Sequence, residues 1–426
     1  MKKSKNKNLI NSPKGMHDIL PQDQPIWEKM RKVAKDISDS YNFSRIDTPI
    51  VEYASLYERP LGAGSDVVEK QMFILNTKGG DGLALRPEGT AGVSRAYLQH
   101  GLSHLAQPLK LYYEGPMFRY EHPQAGRFRQ FYQSGFEIIG SEGDAVYDVQ
   151  VILACVRLLE TLKIKNLSIE VNTIGCRTCR PNYRRKLLEY YKGKEKKICA
   201  DCQRRLKNNP LRVLDCKEDI CQPFIKEAPI MLENLCVFCN KHFKAVLDHL
   251  EELALPYRLN NHLVRGFDYY NRTVFEIFTE GFAPALAAGG RYDYLMEMIG
   301  GRATPAVGGA IGLDRLVEII KSHEINLIAK KKPKIFLVHI GDEARKKALT
   351  IVESLLLAGI DVYESLGKDS LRAQLKIADK IASPLALIFG QQEVFEQTII
   401  IRDMKTGAQE TVPLVKIANV LKKRLK

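Results

Sequence analysis

Apolar positions along the chain switch between two periods, 3.6 and 2, and so divide it into helices and strands. From Pro25 the residues Ile26, Met30, Val33, Ile37 and Tyr41 recur at helical spacing, and Pro25 suits a first turn. The stretch SRIDTPIVEY, 44–53, reads as a strand broken by Pro49. Leu83 to Arg86 is strand-like, Pro87 ends it, and Glu88-Gly89-Thr90 forms a turn into a helix. YYEGPMFRYEHPQAGRFRQFYQSGFEIIG, 112–140, reads as an antiparallel hairpin with a long basic loop holding Pro123 and Gly126. Side chains two apart share a strand face, so in register Arg119, Glu121, Gln133 and Glu137 gather on one side. Tyr132, Ser134, Phe136 and Ile138 take the other. Such a polar face meets either bulk water or a polar cleft. Alternation alone favours water. The loop, where Arg127 and Arg129 flank Phe128, favours phosphates and unstacked bases.

Further on, 144–162 reads as a helix with Val149, Ile152, Val156, Leu159 and Leu162 on one side, Cys155 packing beside them, and 168–173 as a strand. LVRGFDYYNRTVFEIF, 263–278, sets Arg265 before Asp268, Tyr269 and Tyr270, with a strand behind. AAGGRYDYL from Ala287 and AVGGAIGLDRL from Ala306 are glycine-rich, but the dinucleotide spacing G-x-G-x-x-G and its βαβ unit are missing. Beyond a polar linker, 326–332, the strands KIFLVHI, IDVYE, LALIFG and TIIIRD alternate with helices at 343–358 and 370–379, ending in a helix near 416–423. The fold class predicted is α/β (α+β), with a small mixed-sheet domain over 333–426.

With 426 residues the chain has room for two or three cored domains, and its composition is that of a globular protein. The net charge of +14 favours a polyanionic partner without identifying it. Much of it is local: 176–226 carries 15 Lys and Arg against 6 Asp and Glu. Residues 1–12 read as a flexible basic leader, with no apolar core of signal-peptide length and no run long enough to span a bilayer, so the reading is cytoplasmic. Eight of the nine cysteines fall in a segment of distinct composition, 176–250, taken as an insertion. They are Cys176, Cys179, Cys199, Cys202, Cys216, Cys221, Cys236 and Cys239, three pairs of them at C-x-x-C spacing. That spacing suits structural zinc, in one site or two, with reduced unliganded thiols as the alternative.

The series F-R-x-E, basic loop, R-x-R-Q-F-x-Q, G-x-E within 112–140 resembles motif 2 of class II aminoacyl-tRNA synthetases, in the histidyl form. LRPEGT, the histidine motif around Arg265 (with Phe267 where leucine is usual), its companion AAGGRYDYL and the motif 3 pattern of Gly308, Gly312 and Arg315 follow in family order. The resemblance runs from Pro13 to the C-terminus. It implies an antiparallel-sheet catalytic domain over 13–325 interrupted by the Cys-rich insertion, and an anticodon-binding domain over 333–426. It implies histidine–tRNA ligase activity with ATP, Mg2+, histidine and its tRNA, and a homodimer joined through the helix-strand-proline segment near 25–53. Arg265 and Arg119 are then the catalytic cations. Glu88, Gly89, Thr90, Gln133, Glu137, Arg265, Tyr269 and Tyr270 hold histidine. Arg119, Glu121, Arg127, Arg315 and Gly312 hold ATP, while Gln124 and Arg129 approach the tRNA. The family does not supply the metal, since many members lack these cysteines. Two rivals are a histidine-sensing regulatory paralogue, which lacks the C-terminal domain, and a zinc-bearing nucleic-acid-binding protein without catalysis.

Overall fold

The computed structural model describes residues 10–61, 71–123, 126–140, 142–327, 335–367 and 370–424. The first nine residues of the expected leader and most of the expected linker lie outside them, as does Gln124. The chain divides into two units, Met1–Ile328 and Ala329–Lys426.

The first unit opens with α1 (Gln24–Ser40), which has proline in its first turn and buries Trp27, Met30, Val33 and Ala34 along one stripe. The expected strand at 44–53 is two strands, β1 (Ser44–Arg45) and β2 (Val51–Tyr53), in different sheets. Pro49 between them has no N–H to give a ladder and restricts the residue before it, so the chain changes sheet there. Next come α2 (Ser55–Leu61), β3 (Phe73–Asn76), β4 (Gly82–Leu85) and α3 (Thr90–Gln99). The hairpin follows as β5 (Leu109–Phe118) and β6 (Gln130–Ile139). Helix α4 (Ala145–Thr161) is capped by the Asp144 carboxylate, which accepts from the Val146 N–H, and leads to β7 (Leu167–Thr173).

The Cys-rich segment contributes α5 (Cys179–Tyr191), α6 (Ala200–Asn208), α7 (Gln222–Lys226) and α8 (Val237–Glu252). The unit closes with β8 (Tyr257–Leu259), β9 (Asn271–Thr279), β10 (Phe282–Arg291), α9 (Leu295–Met298), β11 (Ala306–Gly312) and α10 (Leu313–Ser322).

Eight strands form one sheet in the order β1-β5-β6-β11-β10-β9-β7-β8, antiparallel except at its two outer pairs. The register sets Gly115 opposite Gln133, Leu111 opposite Glu137, and Glu137 opposite Gly308 on the next strand. One face buries Tyr112, Phe136, Ile138 and Phe275 under α1, α4, α8 and α10. Helix α8, the last of the expected 176–250 insertion, belongs to that layer by its packing, through Phe243, Val246 and Leu250. The opposite face keeps the polar residues of β6. Arg119 lies one residue past β5 but continues its alternation, its N–H donating to the Arg129 carbonyl at 2.9 Å. Glu121 is corrected from strand to loop, because the ladder stops at Phe118 and the Glu121 N–H turns back to the Arg119 carbonyl. A small antiparallel sheet, β2-β4-β3, flanks this face.

The second unit runs β12 (Ile335–His339), α11 (Asp342–Leu357), β13 (Val362–Glu364), α12 (Leu371–Lys380), β14 (Leu385–Phe389), α13 (Gln391–Glu396), β15 (Thr398–Asp403), β16 (Gln409–Pro413) and α14 (Ile417–Arg424). Its sheet, β13-β12-β14-β15-β16, is parallel over the first three strands and antiparallel over the rest. Strands β12 and β14 are buried throughout, as their unbroken apolar runs require.

Candidate active site

The polar face of the sheet forms the floor of a cavity of about 720 Å³. Beneath it Glu137 is fully buried, accepting hydrogen bonds from Thr90 Oγ1 at 2.7 Å and the Tyr292 hydroxyl at 2.6 Å. A Cβ on Gly308 would stand 1.6 Å from Glu137 Oε2, so the carboxylate fits only because its cross-strand neighbour is glycine. Glu88 accepts from the backbone N–H groups of Thr90 at 2.7 Å and Ala91 at 2.8 Å, at the positive end of α3, and from the Tyr269 hydroxyl at 3.3 Å. The Tyr113 ring is wedged between Gly89 and Gly135, where an added Cβ would come within 2.3 and 2.2 Å of it. Gln133 lines the cavity, and its buried Oε1 has no hydrogen-bond partner among the described residues.

Burial pushes the Glu137 carboxyl up to about 8, against the pull of Thr90 and Tyr292. Burial also raises Glu88, against its N–H donors. A carboxyl raised above its unfolded value near 4.5 favours the fold fully below that value and loses the contribution as pH rises through about 8. Glu137 and Glu88 together therefore lower the melting temperature of the ligand-free protein by about 5 °C between pH 5 and 8. Glu137→Gln reduces that slope, Glu88 supplying the remainder; an unchanged slope in the variant, followed by circular dichroism, would contradict this.

Six guanidinium groups line the same cavity: Arg119, Arg127, Arg265 and Arg315, with Arg205 and Arg212 from the Cys-rich segment. Arg119 donates to the Pro87 carbonyl at 2.9 Å and lies between two rings, 5.2 Å from Phe131 and 5.4 Å from Phe267. Arg265 donates to Glu276 Oε1 at 2.6 Å, while its buried Nε has no partner among the described residues. Arg315 donates to the carbonyls of Gly126 and Ala285. Burial lowers its pKa, and so do the charges of Arg119 and Arg127. Cations that repel one another in a cavity call for a polyanion. Glu121 and Arg127 face each other at 3.9 Å across the mouth.

Tyr270 lines the cavity and Tyr269 is buried against its ring, with centroids 4.6 Å apart. Gly312 sits where β11 turns into α10, and a Cβ there would make only ordinary contact with Arg315 at 3.5 Å. Arg129 is drawn elsewhere: its guanidinium lies 3.7 Å from the Tyr120 ring centroid and it donates to the Glu121 carbonyl. The glycines of AAGG make room for neighbouring backbone. A Cβ on Gly289 would come 2.2 Å from the Gly308 carbonyl, and one on Gly290 2.5 Å from that of Thr273.

The eight cysteines of the insertion form two quartets, Cys176, Cys179, Cys236, Cys239 and Cys199, Cys202, Cys216, Cys221. Among the described residues no cysteine is in a disulfide. Sulfur–sulfur distances of 3.7 Å (Cys176 to Cys179), 3.9 Å (Cys176 to Cys236) and 3.8 Å (Cys199 to Cys216) match the ~3.8 Å edge of a tetrahedron with metal–sulfur bonds of ~2.3 Å. Backbone N–H groups of Thr178, Cys202 and Cys236 donate to the sulfurs, as suits thiolates. Cys155 lies apart in the core, its thiol pushed up by burial.

Sequence reasoning missed Tyr113, Tyr292 and Glu276. Of these only Glu276 left a signal, a lone carboxylate inside the apolar strand TVFEIF.

A family model described as Histidyl-tRNA synthetase matches residues 15–316, most of the chain. The chain belongs to the histidyl-tRNA synthetase family. A model described as Anticodon binding domain matches 334–424. Among curated relatives, the histidine–tRNA ligase of Dehalococcoides mccartyi is 42% identical over 98% of this chain and 100% of its own length. That of Aquifex aeolicus is 44% identical over 95% and 99%. The crystal structure of apo S. aureus histidyl-tRNA synthetase superposes with a TM-score of 0.80 at 31% identity, covering 97% of this chain and 100% of that one. The antiparallel catalytic sheet and the C-terminal mixed α/β domain are thus those of a histidyl-tRNA synthetase.

Proposed function

We infer that the cavity of the first unit binds histidine and ATP side by side and joins them as histidyl-adenylate. Family membership carries the overall activity: the chain is an ATP-dependent ligase that attaches histidine to its tRNA. What most supports the siting is the convergence of Arg119, Arg127, Arg265 and Arg315, from three separate stretches, over buried acceptors.

In the first step the histidine carboxylate attacks the α-phosphorus, pyrophosphate leaves, and negative charge gathers on the phosphate oxygens. Arg119 and Arg265 neutralise that charge from fixed positions, Arg265 through the Nε that its pairing with Glu276 leaves over. Arg127 and Arg315, with Glu121 and Gly312, hold the outer phosphates and adenine, and Mg2+ accompanies the ATP. No side chain acts as a covalent nucleophile; alignment and charge neutralisation do the catalytic work. Glu88 and Thr90, with Gly89 between them, take the amino-acid end. Glu137, Gln133, Tyr269 and Tyr270 surround the ammonium and imidazole, and the unpartnered Gln133 oxygen suits a ring N–H. The second step passes the histidyl group to the terminal ribose, with the hairpin loop of Gln124 and Arg129 facing the acceptor end.

Histidine-dependent exchange of labelled pyrophosphate into ATP tests the reading. Its absence from folded protein would leave a nucleic-acid-binding protein without catalysis.

Each cysteine quartet holds one structural zinc on this account. Elemental analysis of protein purified without chelators gives about two zinc per chain; none would return the cysteines to unliganded thiols. The homodimer is supported by the small sheet, one face of which exposes Val51 and Tyr53 of β2 and Leu75 of β3. Among the described residues no helix is long and apolar enough to cross a membrane, and we place the enzyme in the cytoplasm.

A further inference from the structure

The loop 264–270, which carries Arg265, Tyr269 and Tyr270, has no regular secondary structure of its own. Its backbone and Asp268 are held from the Cys-rich segment. Arg180, the residue after Cys179, donates to the carbonyls of Asp268 at 3.4 Å and Tyr270, and to Ile174 at the loop's far side. Asn209 donates to Asp268 Oδ1 at 2.6 Å. The Arg212 guanidinium lies against Gly266, where a Cβ would approach it to 3.4 Å. These three contacts come from beside or between metal-ligating positions. Arg180 is in the first turn of α5, which begins at Cys179 of the first quartet. Asn209 and Arg212 sit at the tip of the strap between Cys202 and Cys216 of the second. That strap also lines the active-site cavity, through Arg205, Arg212 and Asp215, together with Arg265 and Glu276.

We propose that the two quartets, loaded with zinc, fix the loop 264–270 in its histidine-binding conformation, so that amino-acid binding itself depends on the metal. The proposal rests on the zinc reading and goes beyond a structural role for it. Joining Cys199 and Cys202 to Cys216 and Cys221 through one ion closes the short strap and removes chain entropy that would otherwise blur the positions of Asn209 and Arg212. The first quartet does the same for Arg180 by tying the start of α5 to the start of α8. Without the ions the loop loses these anchors and keeps those that Glu276 and Glu88 give Arg265 and Tyr269. Arg265, Tyr269 and Tyr270 then pay the ordering entropy on each binding event. Asn209 is a positioning residue here, since it touches Asp268 and no ligand.

The test uses the whole chain, as purified, stripped with chelator, and as Asn209→Ala. Zinc is counted by elemental analysis, and histidine and ATP affinities are measured separately by calorimetry. Stripping weakens histidine binding at least tenfold and ATP binding, held mainly by Arg127 and Arg315 outside the loop, less than threefold; added zinc restores both. Asn209→Ala retains its zinc and binds histidine about tenfold more weakly, the loss of one charge-assisted hydrogen bond, with ATP affinity unchanged. If zinc is present but neither change moves histidine affinity, this proposal falls and the structural zinc stands. If no zinc is found, both fall. Should the stripped chain unfold, Asn209→Ala decides: native histidine affinity in that variant overturns the proposal.

Discussion

Arg265→Ala lowers histidine-dependent exchange of pyrophosphate into ATP by about 10²–10³-fold while histidine still binds. The effect is electrostatic. Arg265 is largely buried and held by Glu276 at 2.6 Å, and a fixed cation stabilises charge developing on phosphate better than reorienting water does. Removing it leaves Glu276, whose pKa burial already raises, without the guanidinium that pulls it down. The vacated site therefore tends to protonate Glu276 rather than recruit another cation. Histidine keeps Glu88, Thr90, Glu137 and Gln133, so the loss falls on kcat more than on the histidine KM. Near-native exchange in the variant would take Arg265 out of the catalytic step.

Arg291→Met destabilises the first unit by about 3–5 kcal/mol. Arg291 is fully buried and faces Asp148 with both Nε and Nη2, the Nε bonds being 3.2 and 3.1 Å. It also donates to Asp293 Oδ1 at 3.0 Å and to the Asp144 carbonyl at 2.9 Å, tying the end of β10 to the start of α4. Methionine fills much of the volume but leaves the Asp148 carboxylate buried with only His242, whose Nε2 is 3.6 Å away. Burial alone would raise Asp148; Arg291 and His242 overcome it and hold the carboxyl at about 2. A depressed carboxyl contributes stability in full above its usual 3.8 and loses it as pH falls through about 2. Urea unfolding at pH 7 measures the cost, and a shift under 1 kcal/mol would show the network to be dispensable.

Legibility in the sequence followed the range of the interactions. The 112–140 hairpin was readable because alternation and turn residues are local, and its register does set Glu137 and Gln133 on one face with the side chain of Arg119 continuing it. Glu121 was misplaced because nothing local marks the last ladder bond at Phe118. The meeting of Arg119 with Arg265 depends on the strand order β6-β11-β10-β9, a non-local fact that only the family's motif order anticipated. Cysteine spacing identified the C-x-x-C pairs but not their partners. Cys176 and Cys236 are 60 residues apart, and only the return of α8 to the sheet brings them together. Tyr113 looked like any strand aromatic until Gly89 and Gly135 were seen on either side of its ring. In the second unit, α13 and β16 escaped notice because six and five residues are too few for a period to show.

The most direct measurement is a crystal structure of the chain with histidine and a non-hydrolysable ATP analogue bound. The α-phosphate is expected within about 3 Å of both Arg119 and Arg265, and the amino acid over Glu137, Gln133 and Tyr269. Either molecule bound outside this cavity, or an α-phosphate that neither guanidinium reaches, would contradict it.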